Sequence, residues 1–500
     1  METNRILIII LLLLGGNNAC NTICAQSIDD FNKYTKQIEK DFKVYKATRE
    51  TEFNRYREQY NREFAEHLRK SWKLVNPQKK IVPPPQPKPF VPKLDNDNKP
   101  QPITPKELPI KEVVTPKPVP PAPEPIVIDE PQEDEAQKNG FTVGIGNFYG
   151  DNIMLKCNPD ASITLDSNTP SAIATAWEQL SRGDWDLLIY GCQQIRKEHN
   201  YCDWMYYQFV RQIARTATKT TNYSHASVLL AGYILAHSGI DFRLASSEHE
   251  LFLALPFDTK IFNCTYFIVD GRCYYVVEKE LDTACVLMNH KFSKEAASLA
   301  LRYTTPMHWE GTEYKEIELV SEKYPMMEVN ISSNQSLMEF YHSYPRMDWQ
   351  EYVFAPIEDR EAESTVRLLS VILERESDTE KANMLLNFVQ TAFTYGYDDQ
   401  IWGYDRPFFP HETLNYPQSD CEDRSILFAY LIRKLTDLDI VLLYYPNHLA
   451  TAIRFNEDIQ GDYVLVNGQK YFVCDPTGYK PIGHAYDEFK NVQANVIKIE

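Results

Sequence analysis

Beyond residue 26 the sequence has no segment long and apolar enough to cross a bilayer, which takes about 20 apolar residues. Cationic residues are in deficit: 52 Lys and Arg face 70 Asp and Glu, a net charge of −18. Such a surface repels phosphates, which excludes a nucleic-acid partner. Cysteine is scarce as well. Ten occur in 500 residues, eight of them after residue 26, too few for a disulfide-dense scaffold, so ordinary cores must hold the bulk. A phosphate-binding glycine loop is lacking, because "VGIGNFYG" at 143–150 is not followed by the matching helix pattern. In "SSEHELF" His249 has glutamate neighbours, but adjacent strand residues point to opposite faces and cannot converge on an ion. No metal, nucleotide or other cofactor is assigned.

What is present begins with Arg5 and nine uninterrupted Ile and Leu residues, Ile6 to Leu14, then a small and polar stretch ending "ICAQ". Residues 1–26 read as a secretory signal peptide, with cleavage expected after Ala25 and a lipid anchor on Cys20 as the alternative. The expectation is an exported chain, periplasmic, envelope-associated or secreted, where disulfides are permitted. Six cysteines then fall in one half, Cys157, Cys192, Cys202, Cys264, Cys273 and Cys285, for which 15 pairings exist if all pair.

Over residues 27–76, Phe31, Phe42, Phe53 and Phe64 recur every eleven residues. Eleven residues make three helical turns, so the spacing predicts an aromatic stripe along a helix of about 45 residues, roughly 65–70 Å long. Such a stripe is expected to self-associate or pack on another helix. Residues 77–139 hold 18 of the 31 prolines, interspersed with Lys and Glu. That composition predicts an extended spacer without a core of its own.

From about Gly140 the sequence repeats. "NYSHASVLLAGYILA" at 222–236 lies over "SDCEDRSILFAYLIR" at 419–433, and "YFIVDGRCYYVVE" at 266–278 over "YVLVNGQKYFVCD" at 463–475, both offset by 197. The "DG" and "NG" pairs inside apolar alternation predict type I′ hairpins. The fold expected is therefore α+β, two tandem copies at 140–300 and 301–500, each with a helix packed on an antiparallel sheet.

In the second copy Cys421 opens a predicted helix, His448 follows 27 residues later and Asp475 another 27. A helix N-terminus favours the thiolate, a histidine can take the proton and return it to a leaving group, and a carboxylate can orient the imidazole. A Cys421–Cys474 disulfide is disfavoured, because Cys474 and Asp475 point to opposite faces of a strand. An inert buried thiol is the bland alternative, and it leaves His448 and Asp475 unexplained. The segment "NMLLNFVQTAFTYGYDD…HETLNYPQSDCEDRSILFAYLI…NHLATAI…YFVCDPTG" resembles the transglutaminase-like cysteine superfamily over about residues 375–480. The resemblance implies a papain-like core in which Cys421, His448 and Asp475 form a triad for acyl transfer on amides, with a protein or peptide substrate. Where relatives often have Gly before Asp-Cys, this chain has Ser419.

The aligned positions of the first copy are Ser224, His249 and Glu278. Phe209 to Ser224 spans 15 residues where Phe388 to Cys421 spans 33, so the first copy lacks a loop that in the second is dense in aromatics. Trp402, Tyr404, Phe408 and Phe409 are expected to wall a substrate cleft, and the first copy to be degenerate. The competing class is a non-enzymatic envelope-binding or scaffold protein that keeps the fold.

Overall fold

The computed structural model describes residues 37, 40, 55, 57–70, 72–85, 104–115, 140–182, 184–220, 224–309, 314–357, 364–397, 404, 406–446 and 448–500. The expected signal peptide and Phe31, Phe42, Phe53 and Trp402 lie outside these residues. Two compact units divide the chain, Met1–Arg62 and Glu63–Glu500. The described residues of the first are helical.

In the second unit the first helical residues are 63–68. Phe64, the last member of the aromatic stripe, is buried, with its ring 4.6 Å from that of Trp177 and 5.4 Å from that of Phe292. The expected helix over 27–76 therefore stops short, since Lys73–Val75 is strand β1. Three residues of extended chain suffice to pair with a waiting sheet edge, whatever helical pattern precedes them.

The spacer also departs from expectation. Ile110–Val114 forms strand β2, and Leu108 is buried with valines of the second half. Prolines here do not forbid pairing, because a sheet edge accepts an extended segment that lacks some N–H groups. Pro109 stands just before β2 and its carbonyl accepts from Ala494 N at 3.2 Å.

The first copy opens with the hairpin β3 (Phe141–Phe148) and β4 (Asp151–Cys157). Helix α1 (Pro170–Leu180) starts with Pro170 in its first turn and Thr169 as cap, the side chain accepting from Ala172 N. Helices α2 (Asp186–Glu198), α3 (Asp203–Ala217) and α4 (His225–His237) follow. Strands β5 (Arg243–Ser246), β6 (Leu251–Ala254), β7 (Thr265–Val269), β8 (Arg272–Val276) and β9 (Cys285–Leu287) complete it.

The second copy repeats the plan with hairpin β10 (Tyr314–Val320) and β11 (Glu328–Asn334). Helices α5 (Gln335–His342), α6 (Trp349–Tyr352), α7 (Ser364–Leu373) and α8 (Asp378–Thr391) come next. Short strand β12 (Thr394–Tyr395) runs parallel to β13 (Gln418–Ser419), with α9 (Pro410–Asn415) between them. Helix α10 (Cys421–Leu435) leads into β14 (Asp439–Tyr445), β15 (His448–Arg454), β16 (Tyr463–Val466), β17 (Gln469–Cys474) and β18 (Ala494–Lys498).

The two halves share a strand order. The second sheet runs β2, β18, β14, β15, β17, β16. The first runs β1, β9, β5, β6, and reciprocal bonds between Leu255 and Tyr275, 2.9 and 2.8 Å, carry it on to β8 and so to β7. The β7–β8 and β16–β17 turns pair Val269 with Arg272 and Val466 with Gln469, 197 residues apart. Both turns have positive φ at the residues expected: Asp270 and Gly271 at 50° and 78°, Asn467 and Gly468 at 52° and 78°. The first and last strands of each sheet are joined by the proline-rich region. Gln78 N donates to Tyr266 O at 2.9 Å just after β1, and Leu108 N to Tyr463 O at 2.7 Å just before β2. Each sheet thus closes on itself, its edges covered. Alternate residues fill the second interior, among them Val441, Leu443 and Tyr445 of β14 with Ala450 and Ala452 of β15, the period of two a strand dictates.

The two copies meet through polar and aromatic contacts. Trp204 Nε1 donates to Ser343 Oγ at 3.0 Å, Phe262 N donates to Arg346 O at 2.9 Å, and the Tyr149 ring meets that of Phe340 edge-on at 5.8 Å.

Candidate active site

Helix α10 begins where the sequence offers Asp420 as cap. Its carboxylate accepts from Glu422 N at 2.9 Å and Asp423 N at 3.3 Å, and Asp423 reaches back to Asp420 N at 3.2 Å. This capping box makes Cys421 the first helical residue. One turn on, Ser425 Oγ donates to Leu449 O at 2.9 Å, which seats the start of the helix over the start of β15. His448 is the first residue of that strand, and Asp475 directly follows β17. The start of α10 thus lies over the start of β15, and the side chains of Cys421, His448 and Asp475 are all buried.

His448 Nε2 lies 2.6 Å from Asp475 Oδ2. The other carboxylate oxygen accepts from Thr477 N at 3.0 Å, and the imidazole stacks on Phe489, centroids 4.8 Å apart and planes at 7°. Ring position and plane are both fixed. The sulfur's hydrogen bond goes to the Leu449 backbone, one residue from His448, and Asp475 is near enough to act on it electrostatically.

The expectation of a thiolate favoured by the helix N-terminus is corrected here. Cys421 is pushed well above the ordinary thiol range, first by burial, then by the Asp420 charge, with Glu422 and Asp475 adding to it. The helix end that would have favoured the thiolate already faces the carboxylate of its own cap. Burial and the flanking carboxylates thus both favour the protonated thiol.

Residues that the sequence reading did not single out hold this arrangement. Arg424, fully buried, donates from Nε to Ser419 Oγ at 3.0 Å, from Nη1 to the carbonyls of Thr477 at 3.1 Å and Gln390 at 3.3 Å, and from Nη2 to Phe393 O at 2.8 Å. One cation thereby ties α10 to the end of α8, to the strand before Cys421 and to the loop after Asp475. Gln390 Nε2 also donates to Asp475 O at 2.9 Å and Lys480 O at 2.8 Å. Tyr395 is the other addition: burial pushes its phenol up, and the neighbouring Cys421 is the next cause. Trp349 Nε1 donates to the buried Glu422 Oε2 at 2.9 Å, fixing the residue after the thiol.

The expected cleft wall is a further correction. Phe408 and Phe409 are fully buried. Phe409 stacks on Tyr341 at 4.6 Å and lies 4.8 Å from Tyr352, while Phe408 N donates to Asp423 Oδ1 at 2.8 Å. They form core within the second copy because large rings gain more from burial than from lining an open groove. Tyr404 is exposed.

The first copy does not assemble Ser224, His249 and Glu278. Ser224 caps α4, accepting from Ser227 N at 3.1 Å. By cap position it matches Asp420, so His225 stands where Cys421 does. His249 is 84% exposed, between β5 and β6, and Leu251 opens the strand in the place of His448. Glu278 does occupy the Asp475 position, but it accepts from the Tyr207 hydroxyl at 2.6 Å and pairs with Arg211 Nε at 2.5 Å. Two extra residues in the turn moved the histidine off the strand.

The eight described cysteines are free thiols, and Cys474 Sγ donates to Phe472 O at 3.5 Å. Among the described residues no group of three or more His, Cys, Asp and Glu side chains is placed to hold a metal ion, and no helix is long and apolar enough to cross a membrane. No family model, curated protein or solved structure matches the chain.

Proposed function

We propose that the second copy is a transglutaminase-like acyl-transfer site of an exported protein, cleaving amides in a protein or peptide through a Cys421 thioester. The observation that carries this reading is the buried His448–Asp475 pair at 2.6 Å beside a thiol on the first residue of a helix. With Nε2 facing Asp475, Nδ1 is the nitrogen suited to take the thiol proton as sulfur attacks the carbonyl carbon. The carbonyl oxygen becomes an oxyanion, for which the Tyr395 phenol is the near side-chain donor. Collapse breaks the C–N bond, and the departing amine takes the proton from the imidazolium. Water, activated by the same ring, then cleaves the thioester and frees the acid. Hydrolysis is favoured over transamidation because water needs no second binding site.

A non-enzymatic scaffold is the second reading, favoured by the full burial of the Cys421 thiol and by the unassembled first copy. Incubation of the full chain with a peptide-amide library, acid quench and mass spectrometry separates the two. Amine release with an acyl adduct on Cys421 is expected, abolished by Cys421→Ala and His448→Ala, weakly retained in Asp475→Asn and unchanged in Ser224→Ala. Normal turnover in Cys421→Ala, or no adduct on any peptide, overturns the enzyme reading.

A further inference from the structure

A cavity of about 220 Å³ lies in the first copy, away from Cys421 in sequence and fold. Its floor is α3, which presents Gln208, Arg211, Gln212 and Arg215. Its walls are the β3–β4 turn at Asn147 and Tyr149 and, at the rim, Glu339 of α5. A smaller cavity shares Arg211 and Arg215 and reaches Ser227 and Glu278. The two arginines thus stand beside the place where the second copy keeps its triad.

Four residues apart, Arg211 and Arg215 share one helix face. Arg211 is already committed, Nε to Glu278 at 2.5 Å and Nη1 to Gln208 Oε1 at 2.8 Å. Arg215 makes no ion pair among the described residues. Glu339 is exposed and accepts from Gln335 at 3.4 Å. One uncommitted guanidinium thus remains on the lining of a cavity to which Asn147, Gln208 and Gln212 also contribute.

We infer that this cavity binds the terminal carboxylate of a short peptide, with Arg215 as its bidentate partner and Gln212 and Asn147 matching the adjoining amide. One uncommitted cation suits a monoanion, and a planar carboxylate fits the guanidinium fork. The volume is below the roughly 300–1,000 Å³ of sites for drug-sized ligands, which limits the occupant to one or two residues. The site stands on its own residues and holds whether or not Cys421 is a nucleophile.

The test titrates the full chain carrying Cys421→Ala, so that no probe is consumed, with N-acetyl-alanyl-alanine, its C-terminal amide and inorganic phosphate, read by ligand-observed NMR. Saturable binding of the acid is expected, at least about tenfold stronger than the amide. Arg215→Ala should abolish it and Arg215→Lys retain part, with melting curves unchanged in both. Equal binding of acid and amide, phosphate binding as tight as the peptide, survival of binding in Arg215→Ala, or no saturation up to about 10 mM each overturn the assignment.

Discussion

Replacing Arg424 by Met keeps the length of the stem and removes a guanidinium that donates four hydrogen bonds to Ser419, Gln390, Phe393 and Thr477. Hydrogen bonds from a charged donor contribute about 1.5–3 kcal/mol each, so four set an upper bound of about 6–12 kcal/mol. Two effects reduce it. Burial makes the cation itself costly, as the downward push on its pKa shows, and water can reach some of the vacated carbonyls. Against that, Asp420 and Asp423 lose a neighbouring cation. The net cost expected is about 3–5 kcal/mol, the range for removing one partner of a buried charged network. With m near the top of the 1–3 kcal/mol/M range, the urea midpoint of the full chain should fall by about 1 M or more. Arg424→Lys should lie between, because three donors on a point charge cannot reach acceptors on three separate segments. A midpoint for Arg424→Met equivalent to less than about 0.5 kcal/mol from the parent, the size of an ordinary surface change, would refute the clamp.

Leu108→Ala should cost about 2–5 kcal/mol in the same urea experiment, because its side chain fills the second interior; Leu74→Ala, 73% exposed, should change little. Equal effects would return this region to the role of a spacer. Asp420→Asn should speed labelling of Cys421 by a small haloacetamide at pH 8. Asn caps as well as Asp but removes the charge that, after burial, holds the thiol up. A raised pKa keeps the thiol protonated through neutral pH, so labelling of the parent should still be climbing above pH 9. An unchanged rate in the variant would show that Asp420 does not govern the thiol.

Much of this was legible because local chemistry decided it. Asp270–Gly271 and Asn467–Gly468 could turn only with positive φ, so the hairpins and the 197-residue repeat followed. The elements carrying Cys421, His448 and Asp475 were readable from apolar period and spacing. The counterpart of Cys421 was placed one residue early, at Ser224, because the alignment matches small polar residues, while by cap position Ser224 corresponds to Asp420. Phe408 and Phe409 were misplaced because a dense aromatic loop reads the same whether it lines a groove or fills a core. Arg424 and the pairing of Lys73–Val75 and Ile110–Val114 depend on partners tens to hundreds of residues away. No local pattern encodes them.

The way β2 completes the second sheet constrains how that half can be made. Ile110–Val114 finds its partner in residues Ala494–Lys498, which leave the ribosome about 380 residues later, roughly 20–80 s at about 5–20 residues per second. Until then β2 is a strand without a sheet. Its five residues are flanked by Pro109 and Pro116, which lack N–H donors and discourage longer pairing with a wrong edge. The second half therefore reaches its closed form only after Ala494–Lys498 has been synthesised, through a contact of very long sequence separation, the kind that slows folding most. The prolines that looked like a recipe for a rod also hold this segment in reserve for its late partner.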